Sequence, residues 1–266
     1  MQAVKPKKFL GQHFLKDLQI AQRIADTLDD FSGMPILEIG PGMGVLTQFL
    51  LKKEGELKVV EIDRESVPYL QERFPELTNN IIEADFLKLD LQTVFSDRFC
   101  LIGNYPYNIS SQIFFKLLDY KEQIPCCSGM IQKEVAERIA AGPGSKTYGI
   151  LSVLLQAWFD VEYLFTVSEK VFDPPPKVKS AVVKLVRNQR KNLSCDERLF
   201  KTVVKTSFNQ RRKTLRNSMK PLLGKGNDVY ADPIFDKRPE QLSVADFEYL
   251  TSLTQQCLGG AKKDEM

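Results

Sequence analysis

Five short aliphatic runs limit what this chain can fold into: PILEIG (35–40), LKVVEI (57–62), NIIEA (80–84), FCLIGN (99–104) and CCSGMIQ (126–132). Helical patterns separate them, an alternation that predicts a parallel sheet with crossover helices. A leading helix is expected over 17–30, where Ile20, Ile24 and Leu28 recur four apart behind an Asp17 cap. After Gly149 a helix, ILSVLLQAWF, leads to VEYLFTV (161–167), the turn-rich FDPPPK and SAVVKLV (180–186), two runs close enough to pair antiparallel. The expected class is α/β, a mostly parallel sheet whose last strand is antiparallel. Beyond Asn188 the pattern turns helical. The expected division is a sheet domain over 1–188, a small helical domain over 189–260 and a disordered tail over 261–266.

Composition removes whole classes of function. No apolar run approaches the roughly 20 residues that cross a bilayer, and the N-terminus has no apolar segment with a cleavage site, so a cytoplasmic protein is expected. The five cysteines (Cys100, Cys126, Cys127, Cys195, Cys257) lack metal-type spacing, and His13 is the single histidine. Neither a disulfide framework nor a metal site is expected. Charge is uneven. Lys177–Lys225 holds fifteen Lys and Arg against two acids, and with +3 overall the remainder carries ten net negative charges. Such a split marks a phosphate-bearing partner, although a basic run alone is often a solvated helix face.

The first strand runs into G-P-G-M-G, with Gly40, Gly42 and Gly44, and a helix, VLTQFLLKK, is expected at once. Glycines there permit a sharp turn and close approach of a ligand. A dinucleotide fingerprint needs a small residue directly after Gly44, where Val45 stands, so a ligand without a pyrophosphate fits better. The stretch Glu38–Gly44, E-x-G-x-G-x-G, is similar to the S-adenosylmethionine loop of methyltransferases. Glu61 closes the second strand and can accept from both ribose hydroxyls, with Asp63 as a competitor two residues into the loop. Asp85 closes the third and can accept from an adenine amine, with Phe86 packed nearby. Either acid could instead cap the next helix; their order at successive strand ends favours the cofactor reading, hence a Rossmann-like S-adenosylmethionine-dependent sheet.

GNYPYN closes the fourth strand beside the place where the cofactor's methyl would point. An exocyclic base nitrogen is a weak nucleophile because its lone pair is delocalised into the ring. Two acceptors aimed at its protons localise that pair and stabilise developing charge. Asn104 can supply one through its side chain, and the Tyr105 carbonyl, held extended by Pro106, the other. Tyr107 offers a face for the base. Alone, this is also the pattern of an Asn-x-Pro turn.

N-x-P-Y resembles the catalytic motif of adenine-N6 methyltransferases. KPKKFLGQHFLKD, NYPYNIS, QKEVAERIAAGPGSKTYGILSV, FDPPPKVKSAVVKL and FNQRRKTLRNS together resemble the small-subunit ribosomal RNA adenine dimethyltransferases (KsgA type), from about Lys7 to Leu258. The resemblance implies cofactor contacts from His13 and Leu15, besides Gly40, Gly42, Glu61, Asp85 and Asn104. It also implies that Phe172 stacks on the base opposite Tyr107, where the residues alone suggest a core aromatic. The implied reaction is dimethylation of two adjacent adenines in a hairpin loop near the 3′ end of small-subunit RNA. The implied partner is that RNA within the immature subunit, approached by a monomer. Two positions depart from the family: Tyr105 replaces the usual leucine, and Lys179 stands where an acid or small polar residue is common. Arg211, Arg212, Lys213 and Arg216 read as a cationic helix for RNA phosphates. A large-subunit RNA adenine methyltransferase and a non-catalytic assembly factor remain alternatives; a DNA enzyme is disfavoured, with no separate target-recognition domain.

Overall fold

A computed structural model describes residues 6, 7 and 10–261. The chain divides into two compact units, Met1–Ala136 with Asp160–Arg187, and Glu137–Phe159 with Asn188 onward.

The first unit opens with β1 (Phe14–Leu15) and α1 (Leu18–Asp26). Asp17 caps α1, its Oδ1 accepting from the Gln19 and Ile20 amides at 2.9 and 3.1 Å. The helix ends four residues short of the expected Asp30. Thr27 stops it by turning its hydroxyl onto the Ile24 carbonyl at 2.7 Å, with Ser128 Oγ also at 2.7 Å. Next come β2 (Ile36–Ile39), α2 (Thr47–Leu50), β3 (Leu57–Glu61), α3 (Ser66–Arg73), β4 (Ile81–Glu83), β5 (Cys100–Asn104), α4 (Ser110–Asp119) and β6 (Cys126–Gln132). The helix expected straight after the glycine loop is reduced to the single turn α2, because the chain from Gly42 to Leu46 is still turning, as in Gly44 N–H to Pro41 O at 2.8 Å.

Helix α5 (Lys133–Ala140) carries the chain into the second unit, α6 (Ile150–Gln156) follows, and β7 (Phe159–Val167) returns to the first, which ends with β8 (Phe172–Asp173) and β9 (Ser180–Arg187). The seven-stranded sheet has the order β4-β3-β2-β5-β6-β9-β7. Neighbours from β4 to β6 are parallel, and β9 runs antiparallel to β6. All of β2 and nearly all of β5 are buried, as expected of strands covered on both faces. Strand order reverses between β2 and β5, and their register sets Ile39 opposite Gly103. Gly40 and Asn104 therefore leave the sheet side by side, at the switch point where open α/β sheets hold ligands.

In the second unit α6 is followed by α7 (Glu197–Phe208), α8 (Leu215–Ser218), α9 (Lys220–Leu223) and α10 (Val244–Ala261). Phe208 stacks on Phe247 with ring centroids 5.9 Å apart, and Tyr148 meets Phe208 edge-on at 6.4 Å. The segment 137–159, which sequence reading keeps with the sheet, packs with this helical unit. Of the expected tail, Ala261 ends α10 and 262–266 lie outside the described residues.

Candidate active site

The carboxyl ends of β2, β3, β4 and β5, with the segment Leu10–Phe14, line a cleft of about 690 Å³ counted to its open mouth. That volume suits a nucleoside-sized ligand. Gly40, Gly42, Glu61, Asp85, Asn104, Tyr105, Pro106, Tyr107 and His13 all line it.

Gly42 has φ +54°, and a Cβ there would stand 2.9 Å from the Phe14 ring, so both conformation and space exclude a side chain. Its amide donates to Glu61 Oε2 at 3.0 Å, while the Asp63 amide donates to Oε1 at 2.8 Å. Burial pushes the Glu61 carboxyl up, and these amides work against that rise. Glu38, 1% exposed, lies below the loop and is pushed up to about 8 by burial, although Thr47 donates to its Oε2 at 2.7 Å. Asp63 faces away from the cleft, toward Lys7 Nζ at 2.6 Å and Gln12 Nε2 at 3.1 Å. Asp85 combines both expected readings: it lines the cleft, and its Oδ1 accepts from the Leu87 amide at 2.9 Å. A carboxylate between two main-chain amides at the end of β3, beside a side-chain-free turn, fits the ribose of a nucleoside cofactor.

At the tip of β5, Asn104 Nδ2 donates to the His13 carbonyl at 3.0 Å. Tyr105 is 1% exposed and donates its hydroxyl to the Ser128 carbonyl at 2.8 Å, so this residue lines the cleft through its backbone. The tyrosine fits because Gly129 on β6 leaves it room: a Cβ there would come within 2.9 Å of its ring. Tyr107 lies 5.3 Å from the His13 ring, tilted by 31°, and its hydroxyl hydrogen-bonds Ser180 Oγ.

Two expected residues lie elsewhere. Phe172, 1% exposed and paired with Leu15 across β1 and β8, is a core side chain and not a wall of the cleft. Leu15 lies beneath the glycine loop in a smaller cavity with Glu38 and Leu46. Gln12, in KPKKFLGQHFLKD, and Ile62, directly after the strand-end Glu61 and 49% exposed, also line the cleft; position beside His13 and Glu61 is the only mark either carries in the sequence.

In the second unit, Arg211–Lys213 lies in a turn between α7 and α8, not on a continuous helix. Arg211 is bound to the carbonyls of Ser145 and Lys146. Arg216 is bound to Asp236 at 2.6 Å and to the Tyr230 carbonyl at 2.7 Å. Arg212 and Lys213 are exposed, and neither side chain has a partner among the described residues. No group of three or more potential metal ligands occurs among the described residues, and no helix among them is long and apolar enough to cross a membrane.

Comparison with known proteins identifies the family. Residues 3–247 match the model of the family described as ribosomal RNA adenine dimethylase. The chain is 77% identical over 258 residues to "Ribosomal RNA small subunit methyltransferase A" of Parabacteroides distasonis, covering 97% of each chain. It is 69% identical to the protein of the same name from Bacteroides fragilis, covering 97% of this chain and 95% of that one. Among solved structures, a dimethyladenosine transferase from Plasmodium falciparum superposes with a TM-score of 0.78 at 26% identity, over 92% of this chain and 98% of that one. The 23S rRNA methyltransferase ErmE gives 0.65 at 25% identity, over 91% and 100%. A Rossmann-like sheet with its strand-tip cleft, and a match over nearly the whole length, establish that this chain belongs to the ribosomal RNA adenine dimethylase family and uses S-adenosylmethionine.

Proposed function

We infer that the protein methylates N6 of two adjacent adenosines in a hairpin loop near the 3′ end of small-subunit (16S) ribosomal RNA, giving N6,N6-dimethyladenosine during subunit biogenesis. It acts as a cytoplasmic monomer on the immature subunit. The observation that carries this reading is the Asn104 amide at the tip of β5, anchored by its nitrogen on the His13 carbonyl.

Gly40, Gly42, Glu61 and Asp85 would hold S-adenosylmethionine, which would supply an electrophilic methyl group, the S–CH3 bond breaking with its electron pair left on sulfur as a thioether. Glu61 would accept from the ribose hydroxyls, Ile62 would pack on the adenine ring, and Asp85 would accept from its amine. At the substrate amine, Asn104 Oδ1 accepts one N–H and the Tyr105 carbonyl the other, which localises the nitrogen lone pair for attack. Tyr107 carries the base on its ring, held by the bond of its hydroxyl to Ser180. The amine's proton leaves to solvent after transfer, so no strong base is needed, and His13 Nδ1 is engaged with the Pro174 carbonyl at 2.8 Å. Arg212 and Lys213 contact phosphates of the structured RNA.

The test is methyl transfer from labelled cofactor to ribosomal subunits that lack this modification. Label is expected in small-subunit RNA. Label confined to large-subunit RNA, or none at all, contradicts the proposal.

A further inference from the structure

Asp63 has no task in the chemistry above, although it is 2% exposed and follows Glu61 almost at once. Its oxygens face the N-terminal segment. Oδ1 accepts from Lys7 Nζ at 2.6 Å and from the Glu65 amide at 3.0 Å, and Oδ2 accepts from Gln12 Nε2 at 3.1 Å. Burial pushes this carboxyl up, but Lys7 and Gln12 more than offset it and hold it below its usual range. The Lys7 amide in turn donates to Gln12 Oε1 at 2.8 Å, so the Gln12 side chain is fixed at both ends.

The next residue along the chain is His13, whose carbonyl sits 3.0 Å from Asn104 Nδ2. A carbonyl can only accept, so Asn104 must present its NH2 group there, which leaves Oδ1 facing the other way. The segment has little freedom to shift. A Cβ on Gly11 would stand 2.5 Å from Asn108 Oδ1, and Phe14 and Leu15 pair with Asp173 and Phe172.

We infer that Asp63 is a positioning residue for methyl transfer: through Lys7 and Gln12 it holds Leu10–Leu15 so that the His13 carbonyl fixes Asn104 with its oxygen toward the substrate amine. The inference rests on the role proposed for Asn104. Asp63 does not itself line the cofactor cleft, whereas Leu10–Phe14 does, so the effect on Asn104 is read as the loss that remains when the cofactor is saturating.

The test measures kcat at saturating S-adenosylmethionine on undermethylated small subunits, with cofactor affinity measured separately by equilibrium binding. Asp63→Asn and Lys7→Met are each expected to lower kcat about tenfold at saturating cofactor, the scale on which a displaced catalytic group is felt, beyond any change in cofactor affinity that follows because Leu10–Phe14 lines the cleft. The double variant is expected to be no worse than either single one, because both break one linkage. Lys7→Arg should restore most of the rate, which a general loss of stability would not allow. Lys7 is partly exposed, so its variants keep the test open if Asp63→Asn folds poorly. A Lys7→Met kcat within about twofold of wild type, or a loss lying wholly in cofactor affinity, overturns the inference. Wild-type protein that transfers no label would instead defeat the proposed function.

Discussion

The cleft in the first unit and the cationic turn in the second are both announced by short motifs, and their residues meet different fates. In GNYPYN the backbone decides: Ile39 opposite Gly103 puts Gly40 next to Asn104, and the side chains follow. In FNQRRKTLRNS the spacing of Arg212 and Arg216 suggests one charged helix face. The chain turns there instead, Arg216 is taken by Asp236 and Tyr230, and Arg211 by two carbonyls, so that Arg212 and Lys213 remain for solvent. Position at a parallel strand end is a local property of the sequence. The availability of a charge depends on acids and carbonyls that arrive from elsewhere in the chain.

That contrast breaks most readily at Asn104. Asn104→Ala is expected to lower transfer by about a hundred- to a thousandfold, the usual scale for one preorganised acceptor or donor, with cofactor affinity little changed. Single-turnover rates and equilibrium binding check this, and a near-wild-type rate would mean that the strand tip does not hold the amine.

The second unit supplies the next largest effect. Arg212→Ala with Lys213→Ala should weaken subunit binding by about ten- to a hundredfold at moderate salt and reduce the salt slope by about two, with the melting temperature unchanged. Arg216→Ala should do the reverse, lowering Tm by about 2–4 °C while changing the salt slope little. Equal salt slopes for the two variants would erase the distinction drawn between exposed and internally bound cations.

A smaller effect belongs to Glu38, beneath the glycine loop. Its folded-state pKa is raised to about 8. Between the unfolded value and 8 the folded protein holds the extra proton, so stability is greatest at low pH and is lost as pH rises through 8. From pH 7 to pH 9 the loss is about 1 kcal/mol, which Glu38→Gln should remove. Thermal melts over that range check it; parallel curves for wild type and variant would show that Glu38 ionises normally.

Strands were legible because a parallel sheet buried on both faces leaves continuous apolar runs, Glu61 and Asn104 because each ends such a run, and Asp85 because it stands two residues past one. Contacts between distant residues were not. Nothing in the order of residues ties Lys7 to Asp63, 56 positions on, or shows that Gly129 gives Tyr105 its space. Phe172 read one way from its family and another from its neighbours, and its ring lies with the core. The length of α2 also escaped the pattern, since the turn through Gly44 consumes residues whose apolar spacing suits a helix.

The most direct measurement maps the methylated product. Small subunits lacking the modification are incubated with the protein and S-adenosylmethionine, and their RNA is digested and analysed by mass. N6,N6-dimethyladenosine is expected at two adjacent positions in one hairpin loop near the 3′ end, and is expected to be absent with Asn104→Ala. Monomethylated product only, methylation at a different atom or RNA, or the same product from the Asn104 variant would contradict the proposed chemistry.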